Sequence, residues 1–173
     1  MWGRVWEETV GPAVEGVLGE GKVSKAVYLM ALHRLCDPGS KVKCFRFAGD
    51  VYGAGFEGLG LHDLYRALDR LVEGKEEIER GWLARVRDLF TELSLVYFDT
   101  TSTYVEGSNP EELASFGYSR DRRPDQQRQL CLGVVVTREG IPVAHLLLPG
   151  RTADPRRSGR RSDIWWRGLG FRG

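Results

Sequence analysis

The stretch LSLVYFDTTSTYVEG, residues 93–107, marks the point where the chain changes from helical to extended patterning. It is rich in β-branched and aromatic side chains, and its apolar run Leu95, Val96, Tyr97 and Phe98 closes on Asp99. Such side chains suit a pleated, buried surface, so the segment predicts a buried strand with Asp99 near its end. Downstream, QLCLGVVVT (129–137) and IPVAHLLLP (141–149) flank the turn residues Arg138-Glu139-Gly140 and predict a β-hairpin.

Upstream of residue 93 the period is that of a helix. VSKAVYLMALHRLC (23–36) sets Val23, Val27, Met30, Ala31 and Leu35 near one stripe, with Ser24 as its cap. Asp37-Pro38-Gly39 breaks that helix, and Ser40 is placed to cap a second, basic one with Val42, Phe45 and Phe47 as anchors. A helix, a tight turn and a basic helix match a helix-turn-helix arrangement that docks on DNA, and equally two ordinary packed helices. The Gly-rich YGAGFEGLGLHD (52–63) reads as a loop. Two amphipathic helices follow, one through Leu61, Leu64, Tyr65, Leu68, Leu71 and Val72, the other through Trp82, Leu83, Val86, Leu89 and Phe90, joined by a charged link GKEEIERG. Both stripes are expected to face the core, and the change of pattern places a boundary between Phe90 and Leu93.

Composition narrows the function classes. At 173 residues and 42% hydrophobic, the chain can bury the core of one full domain, or of a small domain plus part of a second. Lys and Arg number 25 against 24 Asp and Glu, so a net charge of +1 provides no global field for nucleic acid, and any DNA contact falls to local basic clusters. Three scattered cysteines do not make a disulfide framework and suit a reducing compartment, which points to the cytoplasm. His33 lies near Cys36 and Cys44, but without a paired C-x-x-C knuckle these are expected to be core or surface residues. No apolar run approaches a membrane span, and residues 1–21 lack the pattern of a signal peptide.

Asp99 is the residue most open to a chemical reading. A carboxylate at the end of a dry strand is expensive unless compensated, and a divalent cation compensates it; magnesium is commonly held by one or two carboxylates with water and phosphate oxygens. The competing reading makes Asp99 the opening residue of a turn, hydrogen-bonded to Thr100, Thr101 or Ser102.

Taken together, YFDTTSTYVEG (97–107), ASFGYSRDRRPDQQRQ (114–129) and LGVVVTREGIPVAHLLLPGRTAD (132–154) resemble the opening of the catalytic domain in bacterial insertion-sequence transposases of the acid-triad (DDE) superfamily, in the group with a D-T-T-S-T-Y motif. DPGSK and LHDLYRALDRL are similar to that group's front region. The resemblance implies an α+β chain: a helical N-terminal region, 1–91, as a DNA-binding candidate, then residues 92–155 as the first three antiparallel strands of an incomplete ribonuclease-H-like domain. It implies that Asp99 is the first catalytic carboxylate and a ligand of Mg2+ in a two-metal site that is incomplete here, with Thr100 and Thr101 shaping the adjoining turn. Two metals of that kind activate water and then a DNA 3′ hydroxyl for attack on phosphorus. Arg120, Arg122, Arg123 and Arg128 would grip backbone phosphates, against the alternative of a solvated loop paired to Asp121 and Asp125. Asp154 is not the second triad residue; it is expected to cap a following helix, with Pro155 at its first position. The implied partners are DNA at the element ends and, through a homodimer or a heterodimer, full-length transposase. The alternative function is a DNA-binding or dimerising regulator of that transposase, and the third reading is a remnant without a role.

After Pro155 the family pattern stops. RRSGRRSDIWWRGLGFRG (156–173) has neither helical period nor an apolar strand, and its mix of Arg, Gly and Trp matches a GC-rich gene read out of frame. The competing reading is a basic extension whose Trp165, Trp166 and Phe171 stack on bases. A frameshift that truncated a transposase predicts that genomic DNA just downstream encodes, in another frame, a strand closing on aspartate and a glutamate-bearing helix. Sequencing that region and finding no such remnant would discard the frameshift.

Overall fold

The computed structural model describes residues 2–52, 55–89, 96–104 and 129–149. It mixes helix and sheet in an α+β chain that divides into two compact units, Met1–Leu89 and Phe90–Gly173. The first unit is helical: α1 (Trp2–Glu8), α2 (Gly11–Leu18), α3 (Lys22–Cys36), α4 (Lys41–Phe47), a 3-10 turn (Ala48–Asp50), α5 (Leu61–Glu73) and α6 (Lys75–Leu89). The second carries β1 (Val96–Tyr104), β2 (Gln129–Thr137) and β3 (Pro142–Pro149) in one antiparallel sheet, β2 at its centre.

Helix α3 organises the helical unit. Ala26, Val27, Leu29 and Leu32 are buried against Val14 of α2, Cys44 of α4 and Leu64 and Ala67 of α5, with Phe56 and Leu59 from the Gly-rich loop in the same cluster. This inward face differs from the stripe expected from spacing: Leu35 is exposed, and Val23, Met30 and Ala31 are only partly buried. Likewise Val42 and Phe45 of α4 point outward, while Cys44 and the half-buried Phe47 face the core. Aromatic contacts run from Trp6 to Tyr28 and on to Phe56, with ring centroids 5.0 and 5.5 Å apart, and draw α1 onto α3.

Helix ends follow from simple donors and acceptors. Ser40 caps α4 as expected, its Oγ accepting from the Lys43 N–H at 3.2 Å. Ser24 is not the cap of α3; that position is Gly21, and Ser24 lies three residues further on. Its Oγ accepts from Gly21 N–H at 3.1 Å. Asp63 does the same for Gly60 at the start of α5, at 2.8 Å. Both are the side-chain half of a capping box, because a glycine cap has no side chain to supply the other half.

The charged link expected between the last two helices is mostly helix. Only Gly74 separates α5 from α6, donating its N–H to Arg70 O and accepting from Ile78 N–H, both at 3.0 Å. A Cβ at Gly74 would stand 2.8 Å from Val17 Cγ1, so the close approach of α2 admits no larger residue. Within α6, Lys75 Nζ lies 2.8 Å from Glu79 Oε2.

His33 is buried, its Nε2 has no hydrogen-bond partner among the described residues and its ring sits 5.3 Å from that of Phe47. Burial holds its pKa below the ordinary 6.5, only partly opposed by Asp37 and aided by Lys43, Arg34 and Lys41. The folded chain therefore keeps a neutral imidazole where the unfolded chain takes up a proton. Stability that is full at about pH 7 should fall as pH drops through the unfolded value toward about pH 5. Thermal melts across that range should show the midpoint of the helical unit falling for wild type and much less for His33→Phe. Equal slopes for the two proteins would remove His33 as the cause. The depressed carboxyl of Asp63, held down chiefly by the Gly60 N–H, loses its contribution only at lower pH.

Candidate functional site

Strand β2 aligns the residues around Asp99. Its burial alternates, with Gln129, Cys131, Gly133, Val135 and Thr137 buried and Leu130, Leu132, Val134 and Val136 half-buried, as the two-residue period of a strand requires. In an antiparallel pair, directly opposite positions belong to one face. Position 99 pairs with Val134, and Val134 pairs with His145 of β3, so the three form one row across the sheet. The next row is Thr101, Leu132 and Leu147. Thr101, His145 and Leu147 are exposed, which makes this the more open face.

Two expectations about Asp99 change here. Asp99 does not stand near the end of the strand; β1 runs on to Tyr104, placing Asp99 fourth in a nine-residue strand. Thr100 and Thr101 therefore shape no turn; they pair with Gly133 and Leu132. The β-branched residues of TTST explain the continuation, since they suit a strand as well as the apolar run before them.

His145 received no role from the sequence, although the alternation of β3 could have placed it. Adjacent strands lie about 4.8 Å apart, so positions 99 and 145 are separated by about 10 Å, beyond one coordination sphere. The alternation of β3 is also broken: the register shifts between Val135 and Val136, which pair with Ala144 and Pro142, and the extra Val143 is buried beside Ala144. This bulge re-aims the strand just before His145.

Among the described residues, no three His, Cys, Asp or Glu side chains gather to hold a metal ion. Cys36 is exposed and Cys44 and Cys131 are buried, and no disulfide joins them among the described residues; the Cys44 Sγ lies 4.0 Å from Leu29 O. Arg120, Arg122, Arg123 and Arg128, together with Asp154 and the tail 156–173, lie outside the described residues.

The other cluster of interest is the pair α3 and α4. Lys43 Nζ meets Asp37 Oδ1 at 2.5 Å across the turn, which spends part of the basic charge within the chain. Arg34 and Arg46 are exposed and form no salt bridge among the described residues. Among the described residues no helix is long and apolar enough to cross a membrane.

The row containing Asp99 keeps its register through the turn between β2 and β3. Gly140 N–H donates to Thr137 O at 3.0 Å, Thr137 N–H to Ile141 O at 2.9 Å, and Gly140 holds φ +83° with open space around it. Gly140→Ala should then cost about 1–2 kcal/mol through backbone strain alone. Faster amide exchange across residues 129–149 in the variant is the expected readout, and unchanged protection would mean that the turn does not hold the hairpin.

No protein family, curated protein or solved structure matches the chain.

Proposed function

We propose that the chain is the front portion of an insertion-sequence DNA transposase of the acid-triad superfamily, with Asp99 as its first catalytic carboxylate. The observation that carries the reading is the ordered set of DTTSTY (99–104), GYSRDRRPD (117–125) and PGRTAD (149–154). An antiparallel order β1-β2-β3, with Asp99 within the first strand, is compatible with the opening meander of a ribonuclease-H-like domain and supports the same reading.

In this reading Asp99 would hold Mg2+, which when bound supplies the charge stabilisation for phosphodiester hydrolysis and strand transfer. The residues fit such a site only in part: one carboxylate is assigned, and the other two acids of the triad have no counterpart named in the chain. The role left to these residues is positional. Strand β1 fixes Asp99 in register with Val134, and the arginines at 120, 122, 123 and 128 would hold backbone phosphates by charge. These 173 residues alone are then not expected to carry out strand transfer.

A second reading, a DNA-binding regulator, is favoured by one observation: Arg34 and Arg46 are exposed on the consecutive helices α3 and α4, joined by a short turn. Recognition would then reside in Met1–Leu89 and not depend on Asp99.

The test is a gel shift with the terminal DNA of the element that carries the gene, against scrambled DNA, at two salt concentrations. The regulator reading expects retention specific to the element ends, insensitive to Asp99→Ala, and steeply weakened by salt where phosphates dominate. Equal retention of both DNAs, or none, would overturn recognition of the ends.

A further inference from the structure

His33 stands where α3 meets α4, and the proposed function gives it no role. The imidazole is 3% exposed, its Nε2 finds no hydrogen-bond partner among the described residues, and its ring lies against that of Phe47 on α4. A neutral ring is tolerated in such a place. An imidazolium would bring a full charge into it with no acceptor for the N–H at Nε2.

The charges that face His33 come from the end of α3, the turn and α4. Arg34, Lys41 and Lys43 oppose its protonation, whereas Asp37 favours it, and Asp37 is already engaged by Lys43. Cys44 on α4 is kept a neutral thiol by burial and supplies no compensating charge. Helix α4 is also held by little. Of its seven residues only Cys44 is buried, with Phe47 half-buried against the same core, while α2, α3 and α5 share Val14, Ala26, Val27, Leu29, Leu32, Leu64 and Ala67. An element with so few buried contacts opens locally before the whole unit unfolds.

We propose that His33 is the trigger of an acid-driven release of α4: on taking up a proton it drives off Phe47 and the cations Lys41 and Lys43 of the same helix, while α2, α3 and α5 stay packed. In the released state water reaches the imidazolium, and its basicity returns to the ordinary 6.5. Burial holds the docked value below that. Docking is therefore complete above about pH 7 and is lost as pH falls through the released value, one proton being taken up at each opening. Release uncovers Cys44, which is 2% exposed when α4 is docked. The inference is independent of the transposase reading.

The test labels the thiols of the full chain with dithiodipyridine, a disulfide probe that reacts in mild acid, between about pH 7.5 and about pH 5.5. Peptide mass assigns each adduct, and the exposed Cys36 serves as internal reference. The expected result is a ratio of Cys44 to Cys36 labelling that rises by up to about tenfold across that range, the increase that one proton allows. The amides of α5 should keep their protection throughout. In His33→Phe and His33→Gln, which cannot take up the proton, the ratio should stay level. A level ratio in wild type overturns the proposal, whether or not the variants fold. So does a rise that persists in either folded variant, or one accompanied by loss of α5 protection, which would mark unfolding of the whole helical unit.

Discussion

The alternation of β2 is the constraint on which the candidate site depends. A central strand has two neighbours, and its hydrogen-bond ladder must satisfy both at once. Moving β2 by one residue would exchange Cys131 and Val135 for Leu132 and Val134 on the buried face, so the register against β1 and β3 is tightly specified. Asp99 and His145 share a row only through that register. The bulge at Val143 keeps the row intact, because it absorbs the extra residue before His145 and lets the alternation resume.

Helix α3 plays the corresponding part in the helical unit, by a different physics. Its small Ala26 and its Leu29 and Leu32 let α2, α4 and α5 approach from several sides, so one helix supplies the surface the others share. That arrangement decides which residues remain outside. Arg34 and Leu35 at the end of α3, and Val42, Phe45 and Arg46 on α4, are left exposed by it. The same packing consumes one side of α5 and leaves the line from Leu61 to Val72 on the other. A nucleic-acid surface on α3 and α4 would be a consequence of that core.

In the proposed reading, a chain that holds one acid of a triad would still take part in recognition and assembly. Catalytic chemistry of the two-metal type needs several carboxylates held together, whereas the proposed end recognition would need only the helical unit to fold. The burial of Val14, Leu29, Leu64 and Ala67 gives that unit a core of its own. The proposed roles therefore separate along the division of the chain, with positioning of Asp99 in one unit and contacts to DNA in the other.

Element type was legible in the sequence because it depends on local spacing. The hairpin of β2 and β3, the helices α3, α5 and α6 and the cap at Ser40 follow from period and turn chemistry that a short window contains. The short helices α1 and α2 were not, since one or two turns hold too few apolar positions to establish a period. Facing was legible only in part: several spacings on a helix describe an apolar stripe, and only the neighbours determine which stripe is buried. Thus Leu35, Val42, Tyr65 and Val72 lie outside, while Cys44, Ala67, Phe56 and Leu59 lie within. The apolar run before it and the motif made Asp99 a candidate; the tertiary structure decided that it stands in mid-strand, in one row with Val134 and His145. Strand length and register are settled by pairing with a distant segment, and no local window contains that partner.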